Sequence, residues 1–402
     1  MFKNVAALEI SSSKVKFAVG NLVGGRPSIL FYGQKPIPEG IVSKGEILNE
    51  DALSKIVASF GHFEDESLRL KVDTDDISLV IPAIGFQVYM NEKCTNVVSS
   101  ENIIENLDID NVISLIQKER IPNGNTIVDI VPDSFVTDAG KAYKNPPLGT
   151  HSSSILLKAK VHTAPEGLLA SYKRTVQNAS LRIRRSALAP YCACQLIASE
   201  EGMPHDYFLL DIGESLSTLS FVGGDSLYGS VIFMLGGKDL TKELSTSFGL
   251  SFQEAEGLKR KYGYDPRERV YHSALRLGEK AFDAKEVSKE KWNEAIRSFF
   301  SKYCYNLKNA VESLAKKQIS DNANLRFPFI VTGGGSSLNG LFRLLKEYYG
   351  NYDFIPFAPK AMGARDPSAT NLVGLILAGG EYRGTLEDHY RGISALSREK
   401  GE

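Results

Sequence analysis

The sequence predicts an α/β protein of two similar lobes that face each other across a cleft. Residues 4–11 and residues 206–213 are short apolar strands of the same design, ending in Glu9 and Asp211, and each acid is followed by Ile and a small residue. Each strand leads into a segment that alternates apolar and polar residues around a glycine pair, which is typical of a β-hairpin. Because this unit recurs about half a chain apart, we predict a duplicated fold.

Composition places the chain among ordinary globular proteins and excludes several functions. Its 402 residues are 43% hydrophobic and 24% charged, which suits two or three domains. A net charge of −1 provides no general attraction for nucleic acid, which we do not expect as a partner. The four cysteines lack CxxC spacing, the first residues lead straight into a strand, and no apolar run is long enough for a bilayer. We therefore expect a cytoplasmic protein without a signal peptide.

The first lobe is expected to carry an inserted α+β subdomain. The hairpin 12–30 turns at Gly24-Gly25, and Asn49 is expected to cap the helix that follows. An apolar strand lies at 77–82. The insert should then contain a strand (86–91), a helix (108–120), a strand (126–137), a polar loop (138–153) and a strand (154–163). Further predicted elements are a helix at 165–178, a strand at 181–188 and a helix at 190–199.

The second lobe repeats the hairpin, at 217–233 around Gly223-Gly224. Helices are predicted at 238–248 and 251–262, the latter with Ser251 and Glu254 in a capping box. Residues 285–317 should form one or two helices. A strand that ends in three glycines precedes a helix at 338–349 and a strand at 354–357, and a helix at 368–379 should return to the first lobe.

These elements suggest a division of the chain into eight segments. The predicted segments are the first-lobe core (1–83), the insert (84–163), more first-lobe core (164–204), the second-lobe core (205–240), a small second-lobe subdomain (241–303), more second-lobe core (304–357), the return to the first lobe (358–380) and a tail or linker (381–402).

Three small-residue turns at strand ends can converge on one polyphosphate, so nucleotide binding is the leading hypothesis. A phosphate needs several backbone N–H groups aimed at it, and such a turn must be compact. Two of the turns follow the duplicated strands, and the third is the glycine run before the helix at 338. The candidate residues are Ser11, Ser12, Ser13, Lys14, Gly213, Glu214, Ser215, Gly333, Gly334, Gly335 and Ser336. Each turn taken alone could equally be a plain connection between elements.

Acidic and basic side chains complete the candidate site. Glu9 and Asp211 could hold a hydrated Mg²⁺ or orient a water for catalysis, although either could instead cap its own turn. The metal role is favoured for Asp211. Glu256 and Lys259 share a helix face and could bind ribose hydroxyls and a base edge, or else form a solvated ion pair.

Several stretches resemble the FtsA family of bacterial cell-division proteins, within the actin-like (ribonuclease-H-like) ATPase superfamily. The run from Leu235-Gly236-Gly237 to Glu254-Ala-Glu256-Gly-Leu-Lys259 resembles a family motif, and this resemblance adds Gly236 and Gly237 to the candidate nucleotide-binding residues. Thr332-Gly-Gly-Gly335 followed by Leu338-Asn-Gly-Leu341 resembles a second family motif. Residues 131–138 and 145–149 resemble the insert that distinguishes the family from actin. The resemblance spans roughly residues 4–380.

The resemblance implies a function as well as a fold. The protein would bind ATP with Mg²⁺ between its lobes, form filaments with itself, and link the FtsZ ring to the membrane together with other divisome proteins. The C-terminal tail of FtsZ would bind the small second-lobe subdomain, where basic residues could steer it. The candidates are Lys259, Arg260, Lys261, Arg267 and Arg269. Such a face could also be merely solvated.

Departures from the family pattern suggest weak or absent hydrolysis. Glu9-Ile-Ser-Ser-Ser replaces the usual Asp-Ile-Gly-Thr-Ser, and Glu214 and Leu219 stand where the family has other residues near the terminal phosphate. The family also ends in a basic, aromatic membrane-surface helix. Here Leu386 to Leu396 repeat apolar residues without Trp or Phe, so we expect a linker rather than an anchor.

Two alternatives stay open within the superfamily. Residues 38–47 also suit PilM, the cytoplasmic actin-like scaffold of type IV pilus assembly, which binds a peptide of its membrane partner. A sugar kinase would need a sugar-binding acid and a larger first-lobe insertion, neither of which is seen. The insert favours FtsA.

Overall fold

The computed structural model describes residues 4–61, 64–65, 70–71, 77–267, 274–276, 286–318 and 326–381. Its strands are β1 (Val5–Ile10), β2 (Lys14–Val23), β3 (Arg26–Pro36), β4 (Val42–Ser43), β5 (Glu46–Ile47), β6 (Glu64–Asp65), β7 (Leu70–Lys71), β8 (Ile77–Ile81), β9 (Gln87–Asn96), β10 (Asn125–Thr137), β11 (Ala142–Tyr143), β12 (Ser154–Pro165), β13 (Ile183–Leu188), β14 (Tyr207–Ile212), β15 (Ser217–Gly223), β16 (Ser226–Phe233), β17 (Ala274–Arg276), β18 (Glu286–Ser288), β19 (Phe329–Thr332) and β20 (Phe354–Pro356). Its helices are α1 (Glu50–Gly61), α2 (Asn106–Gln117), α3 (Glu166–Asn178), α4 (Ala189–Ala198), α5 (Gly237–Phe248), α6 (Phe252–Tyr262), α7 (Lys289–Gln318), α8 (Leu341–Tyr348) and α9 (Thr370–Glu381).

The two lobes have the same sheet topology, as the duplicated strands predict. The first sheet has the order β13-β8-β1-β2-β3 and the second β20-β19-β14-β15-β16. In each, the first strand of the lobe pairs antiparallel with its hairpin on one side and parallel with a later strand on the other. The carboxyl ends of the parallel strands meet at one edge of each sheet, where ligands bind in open α/β sheets. Glu9 and Asp211 lie at these edges.

The insert forms a separate layer with its own core. Its sheet has the order β11-β10-β12-β9, and α2 packs on it through an apolar face. Ile109, Val112 and Ile113 of α2 and Phe135 of β10 are almost fully buried. The expected order of strand, helix, strand and strand in this subdomain is confirmed, and a two-residue strand, β11, lies within the predicted polar loop.

The first-lobe core contains the last described helix. Leu372, Val373 and Ile376 of α9 are buried together with the residues of β1 and β2, so α9 packs in the first-lobe core. Gly374 permits this packing, because a Cβ there would lie 1.9 Å from the carbonyl oxygen of Cys192 in α4. Cys192 itself is fully buried and has the expected role of small apolar packing.

Several boundaries differ from the predicted ones. Residues 289–318 form one continuous helix, α7, so the predicted division at 303/304 falls inside a helix. The glycine run enters a short 3₁₀ turn, Gly334–Ser337, before α8 begins at Leu341. No described helix combines the length and apolar character needed to cross a bilayer. The tail beyond residue 381 and Arg269 lie outside the described residues.

Candidate functional site

The floor of the cleft is a buried polar cluster that joins the lobes. Asn371, in the first turn of α9, donates its amide to Glu9 Oε1 at 3.3 Å and to Asp211 Oδ2 at 3.0 Å. The two acids that end the duplicated strands are thus brought to one point, as the duplication predicts. Asn371 Oδ1 is also buried and has no hydrogen-bond partner among the described residues. An acceptor of this kind at a cleft floor is available to a ligand or a bound water.

Lys16, which the sequence reasoning missed, is the cation of this floor. Its ammonium lies 3.1 Å from Glu9 Oε2 and donates to the Ser368 carbonyl at 2.6 Å. Burial opposes the charge on Lys16, but Glu9, Tyr32 and Asp211 outweigh it, so the pKa of Lys16 is raised. The register of β1 against β2 places Lys16 directly opposite Glu9. That register was the signal that could have singled it out.

The ammonium of Lys14, which was predicted to bind phosphate, is bonded to the neighbouring strand of its own hairpin. It donates to Gln34 Oε1 at 3.2 Å, across the β2–β3 hairpin. The turn before it closes on itself, because the Ser11 hydroxyl donates to the Lys14 carbonyl at 2.8 Å. Ser13 instead reaches the opposite lobe, where its hydroxyl donates to the Glu214 carboxylate. The first-lobe turn therefore approaches the second-lobe turn through Ser13.

The second-lobe turn packs against the start of α5. The Gly237 N–H donates to the Gly213 carbonyl at 3.0 Å, and the Lys238 N–H donates to the Glu214 carbonyl at 2.7 Å. Gly236 makes this approach possible, since a Cβ there would lie 2.4 Å from the Glu214 carbonyl oxygen. Ser215 lies in the same turn. The turn and the helix N-terminus thus form one continuous wall of the cleft.

Glu256 and Lys259 extend this wall and form hydrogen bonds with it. The Lys259 ammonium lies 2.6 Å from Glu256 Oε2 and donates to the Gly237 carbonyl at 2.9 Å. Thr241 of α5 donates to Glu256 Oε2 at 2.5 Å. Burial opposes ionisation of Glu256, but hydrogen bonds from Lys259, Thr241 and Arg260 lower its pKa to about 2. The structure therefore places this charged pair beside the glycines predicted with it.

The glycine turn after β19 contacts the floor from the second-lobe side. Gly333 has φ of 84°, and a Cβ there would lie 2.1 Å from Asp211 Oδ1. Gly335 is equally crowded by Ile212, and the Ser336 hydroxyl closes the turn by donating to the Gly333 carbonyl at 2.7 Å. A Cβ at Gly334 would meet only Ser368 Cβ, at 3.6 Å. Gly334 alone leaves open space in front of the turn.

Leu219, which was expected near the terminal phosphate, does not face the cleft. It pairs with Leu210 in the β14–β15 register, is fully buried and packs in the second-lobe core. Its neighbour Thr218 pairs with Asp211 and shares the cleft face of the sheet. Because side chains alternate along a strand, the position of β15 that shares the cleft face with Asp211 is Thr218.

The floor fits a divalent metal less well than expected. Burial raises the pKa of Asp211, although the Asn371 hydrogen bond opposes this effect, and Glu9 is already paired with Lys16. The described residues contain no group of three or more His, Cys, Asp or Glu side chains suited to a metal. A metal here would be held through water, with Asp211 and Asn371 Oδ1 as the acceptors.

The predicted basic partner face is only partly present. Lys259 turns into the cleft and so does not belong to it. Arg260 and Lys261 are exposed on α6, and Arg260 pairs with Glu256 at 2.7 Å. Arg267 is exposed and pairs with Asp265 at 2.5 Å.

Sequence comparisons point to one group of proteins. A family model described as Cell division protein FtsA matches residues 208–374. Cell division protein FtsA of Enterococcus hirae is 23% identical over 389 residues, which cover 96% of this chain and 84% of that protein. FtsA of Bacillus subtilis (strain 168) is 26% identical and covers 92% of this chain and 82% of that protein.

Solved structures share the fold at lower identity. The PilM-PilN type IV pilus biogenesis complex matches with a TM-score of 0.58 and 19% identity, over 94% of this chain and 98% of that one. MreB5 of Spiroplasma citri bound to ADP matches with a TM-score of 0.55 and 11% identity, over 97% of this chain and 98% of that one. The expected resemblance and fold are therefore confirmed: this chain is similar in sequence to the bacterial cell-division protein FtsA and shares the actin-like fold of PilM and MreB5.

Proposed function

We propose that this protein is an actin-like cell-division scaffold that binds an adenine nucleotide, expected to be ATP, between its lobes. The single observation that supports this most is the polar wall and floor of the cleft. Turns from both lobes, the start of α5 and the Glu256–Lys259 pair all border one space. The relatives named FtsA match nearly the whole chain, which supports the cell-division role.

The adenosine end of the nucleotide would lie against Gly334 and the Glu256–Lys259 pair. Backbone without a side chain at Gly334 lets a base or ribose approach closely, and a carboxylate beside an ammonium can bind ribose hydroxyls. The phosphates would extend towards the turns at residues 11–14 and 213–215. Lys16, at the floor, would add a fixed positive charge near them.

Replacing Gly334 by Leu tests this binding. The backbone has room for the Cβ, so we expect a folded protein whose side chain fills the base site and whose affinity for ADP and ATP falls at least a hundredfold. Gly167→Leu is the matched control, because Gly167 lies in α3 with nothing within 4 Å of its missing Cβ. Unchanged calorimetric affinity in Gly334→Leu would remove the proposal.

We also propose that hydrolysis is weak. The second-lobe turn carries Glu214, and the cleft-facing position of β15 is Thr218 rather than an acid. Turnover should stay below about 1 s⁻¹, the low end of ordinary enzymes. Glu214→Gly combined with Thr218→Asp should raise it, whereas an acid at buried Leu219 should only destabilise the core. A wild-type turnover of ordinary enzymatic speed would contradict this part.

The remaining finer proposals concern assembly: filaments of the chain itself, the acidic, partly apolar tail of FtsZ as partner, and a place at the inner face of the membrane at the division site. The exposed charges of α6 would steer such a tail. Lys261→Glu is the cleanest test, since Arg260→Glu would also place a charge beside Glu256. Lys261→Glu should weaken tail binding and flatten its salt dependence, and Lys308→Glu on α7 is the control.

The solved PilM-PilN complex favours a second candidate, a scaffold for pilus assembly. The two candidates are separated by pull-down of the purified chain with an FtsZ tail peptide and with a PilN-type peptide. Retention of the first alone supports cell division. Retention of the second alone would overturn it.

A further inference from the structure

One side-chain contact closes the gap between the two turns that would hold phosphates. Ser13 stands between β1 and β2, and Glu214 stands between β14 and β15, at the equivalent place in the other lobe. The Ser13 hydroxyl donates to the Glu214 carboxylate. A group held by both turns must therefore displace this contact or take the place of the carboxylate.

The position of Glu214 along the cleft corresponds to the end of a nucleotide. Glu256, Lys259 and Gly334 border the end proposed for the base and ribose. A phosphate chain that starts there runs past the N-terminus of α5 towards the two turns. Its outermost phosphate would lie between Ser13 and Gly213, where the Glu214 carboxylate now lies.

Glu214 lies among charged side chains of both signs. Lys238, Lys14 and Lys259 are close enough to favour its ionised form, and Glu256 is the acid that opposes them. Partial desolvation is the larger effect and raises the pKa of Glu214, although the side chain remains exposed. On balance these surroundings disfavour the ionised form, so a second anion brought beside Glu214 meets a site that already resists negative charge.

We propose that Glu214 takes the place of a terminal phosphate, so that the cleft prefers a nucleoside diphosphate to the corresponding triphosphate. This rests on the nucleotide binding proposed above and changes its preferred ligand from ATP, the expectation there, to ADP. A diphosphate can end short of the Ser13–Glu214 contact and leave it intact. A triphosphate must break that contact and bring its most charged group against a carboxylate. Repulsion between like charges about 5 Å apart in a partly enclosed site changes an affinity on the order of tenfold or more.

Calorimetric titration of the purified chain with ADP and with ATP, each with Mg²⁺, tests the proposal. The wild type should bind ADP about tenfold more tightly than ATP. Glu214→Gln keeps the shape and removes the charge, and the preference should fall to about threefold. Glu214→Gly also removes the bulk, and the two affinities should become about equal. Thermal unfolding of each variant checks that it is folded.

Glu39→Gln is the matched control. Glu39 also carries a carboxylate across the lobe interface, to Lys238 at 2.6 Å, but it is 87% exposed and lies outside the two turns. This variant should keep the tenfold preference. A loss equal to that of Glu214→Gln would show that any carboxylate at the interface suffices, and would overturn the proposal.

The outcomes separate the two proposals. Equal affinity of the wild type for ADP and ATP overturns the role of Glu214 and leaves nucleotide binding standing. A preference for ADP that survives in Glu214→Gly also overturns it. If neither nucleotide binds the wild type or any variant, nucleotide binding fails and the role of Glu214 fails with it.

Discussion

At the scale of single residues, the cleft floor depends on compensation of buried charge. Glu9 and Lys16 have side chains only about one-tenth exposed and lie 3.1 Å apart. A buried charge that loses its partner costs more than a surface pair ever contributes. Asn371 and the Ser368 carbonyl share in this network, so the lysine is held by both the first-lobe sheet and the segment before α9.

Lys16→Met should destabilise the protein by about 3 kcal/mol, because it leaves Glu9 buried without a cation. Lys16→Met with Glu9→Gln should recover about half of that loss, because the double variant no longer leaves Glu9 charged and unpaired, although Asp211 still loses the attraction of Lys16. Lys14→Met is the control and should cost less than about 0.5 kcal/mol, as Lys14 bonds only to Gln34 at the surface. Urea unfolding of the four proteins measures these differences. No recovery in the double variant would contradict the compensation argument.

At the scale of elements, α5 and α6 are held in place by helix caps and by the hydrogen bonds of one charged residue, Glu256. Ser251 caps α6 in the expected capping box: its hydroxyl accepts from the Glu254 N–H at 3.2 Å, and its own N–H donates to Glu254 Oε2 at 2.7 Å. Glu256, one turn later, holds α6 against α5 through Thr241. Local sequence thus starts the helix, and a tertiary contact places it.

Ser251→Ala should cost about 1 kcal/mol, because the first turn of α6 loses one hydrogen-bond partner. Ser247→Ala, at an exposed position near the end of α5, is the control and should change stability by less than about 0.5 kcal/mol. Denaturant unfolding is the measurement. Equal effects of the two substitutions would show that the cap contributes nothing.

The hydrogen bonds that Glu256 accepts predict how the stability of the protein depends on pH. The folded-state pKa of Glu256 is about 2, below its ordinary 4.5, so its stabilisation is fully present above 4.5 and is lost as the pH falls towards 2. Glu256→Gln should cost about 2 kcal/mol at pH 7, after allowance for a side chain one-quarter exposed. That cost should stay constant down to pH 5 and shrink below it.

Glu243→Gln is the matched control for this pH series. Glu243 pairs at 3.2 Å with Lys302, whose side chain is 63% exposed, so its loss should cost less than about 0.5 kcal/mol. A Glu256→Gln cost that rises as the pH falls from 5 to 3 would contradict the assigned direction.

At the scale of the whole molecule, two similar lobes share a continuous apolar core, in which Tyr207 and Leu209 of β14 pack with first-lobe residues, and polar contacts span the cleft between them. Asn371 spans both acids, Ser13 reaches Glu214, and Lys238 pairs with Glu39. Each contact joins residues about 160 or more positions apart in the chain. A ligand that contacts both lobes at once should therefore stabilise the folded protein.

Bound nucleotide should therefore raise the resistance to unfolding. At a free ADP concentration of about one hundred times its Kd, the gain should be about 2.7 kcal/mol, seen as a higher Tm by calorimetry. Gly334→Leu should show no such rise, and Gly167→Leu should show the full rise. A rise of equal size in Gly334→Leu would place the ligand outside the cleft.

By itself, the sequence determined the repeated units of this protein. The strand, acid and hairpin pattern identified both lobes, the Ser251 box identified a helix start, and the glycine run identified a turn with φ that glycine alone tolerates easily. These signals are local, since alternation along a strand and a cap at a helix end depend on residues a few positions apart.

Only the tertiary structure decided which side chains meet in the cleft. In the folded protein, Lys16 rather than Lys14 lies at the cleft floor, and Leu219 lies in the second-lobe core. Asn371 lies between Glu9 and Asp211, and Glu214 contacts Ser13. Residues 372–380 of the helix that carries Asn371 are apolar or glycine, so the one amide near its start was the available hint. The physical reason differs between these residues: the facing of Lys16 and Leu219 follows from hairpin register, which a shift of one residue would reverse, whereas the contacts of Asn371 and Glu214 join residues about 160 or more positions apart, which local pattern does not encode.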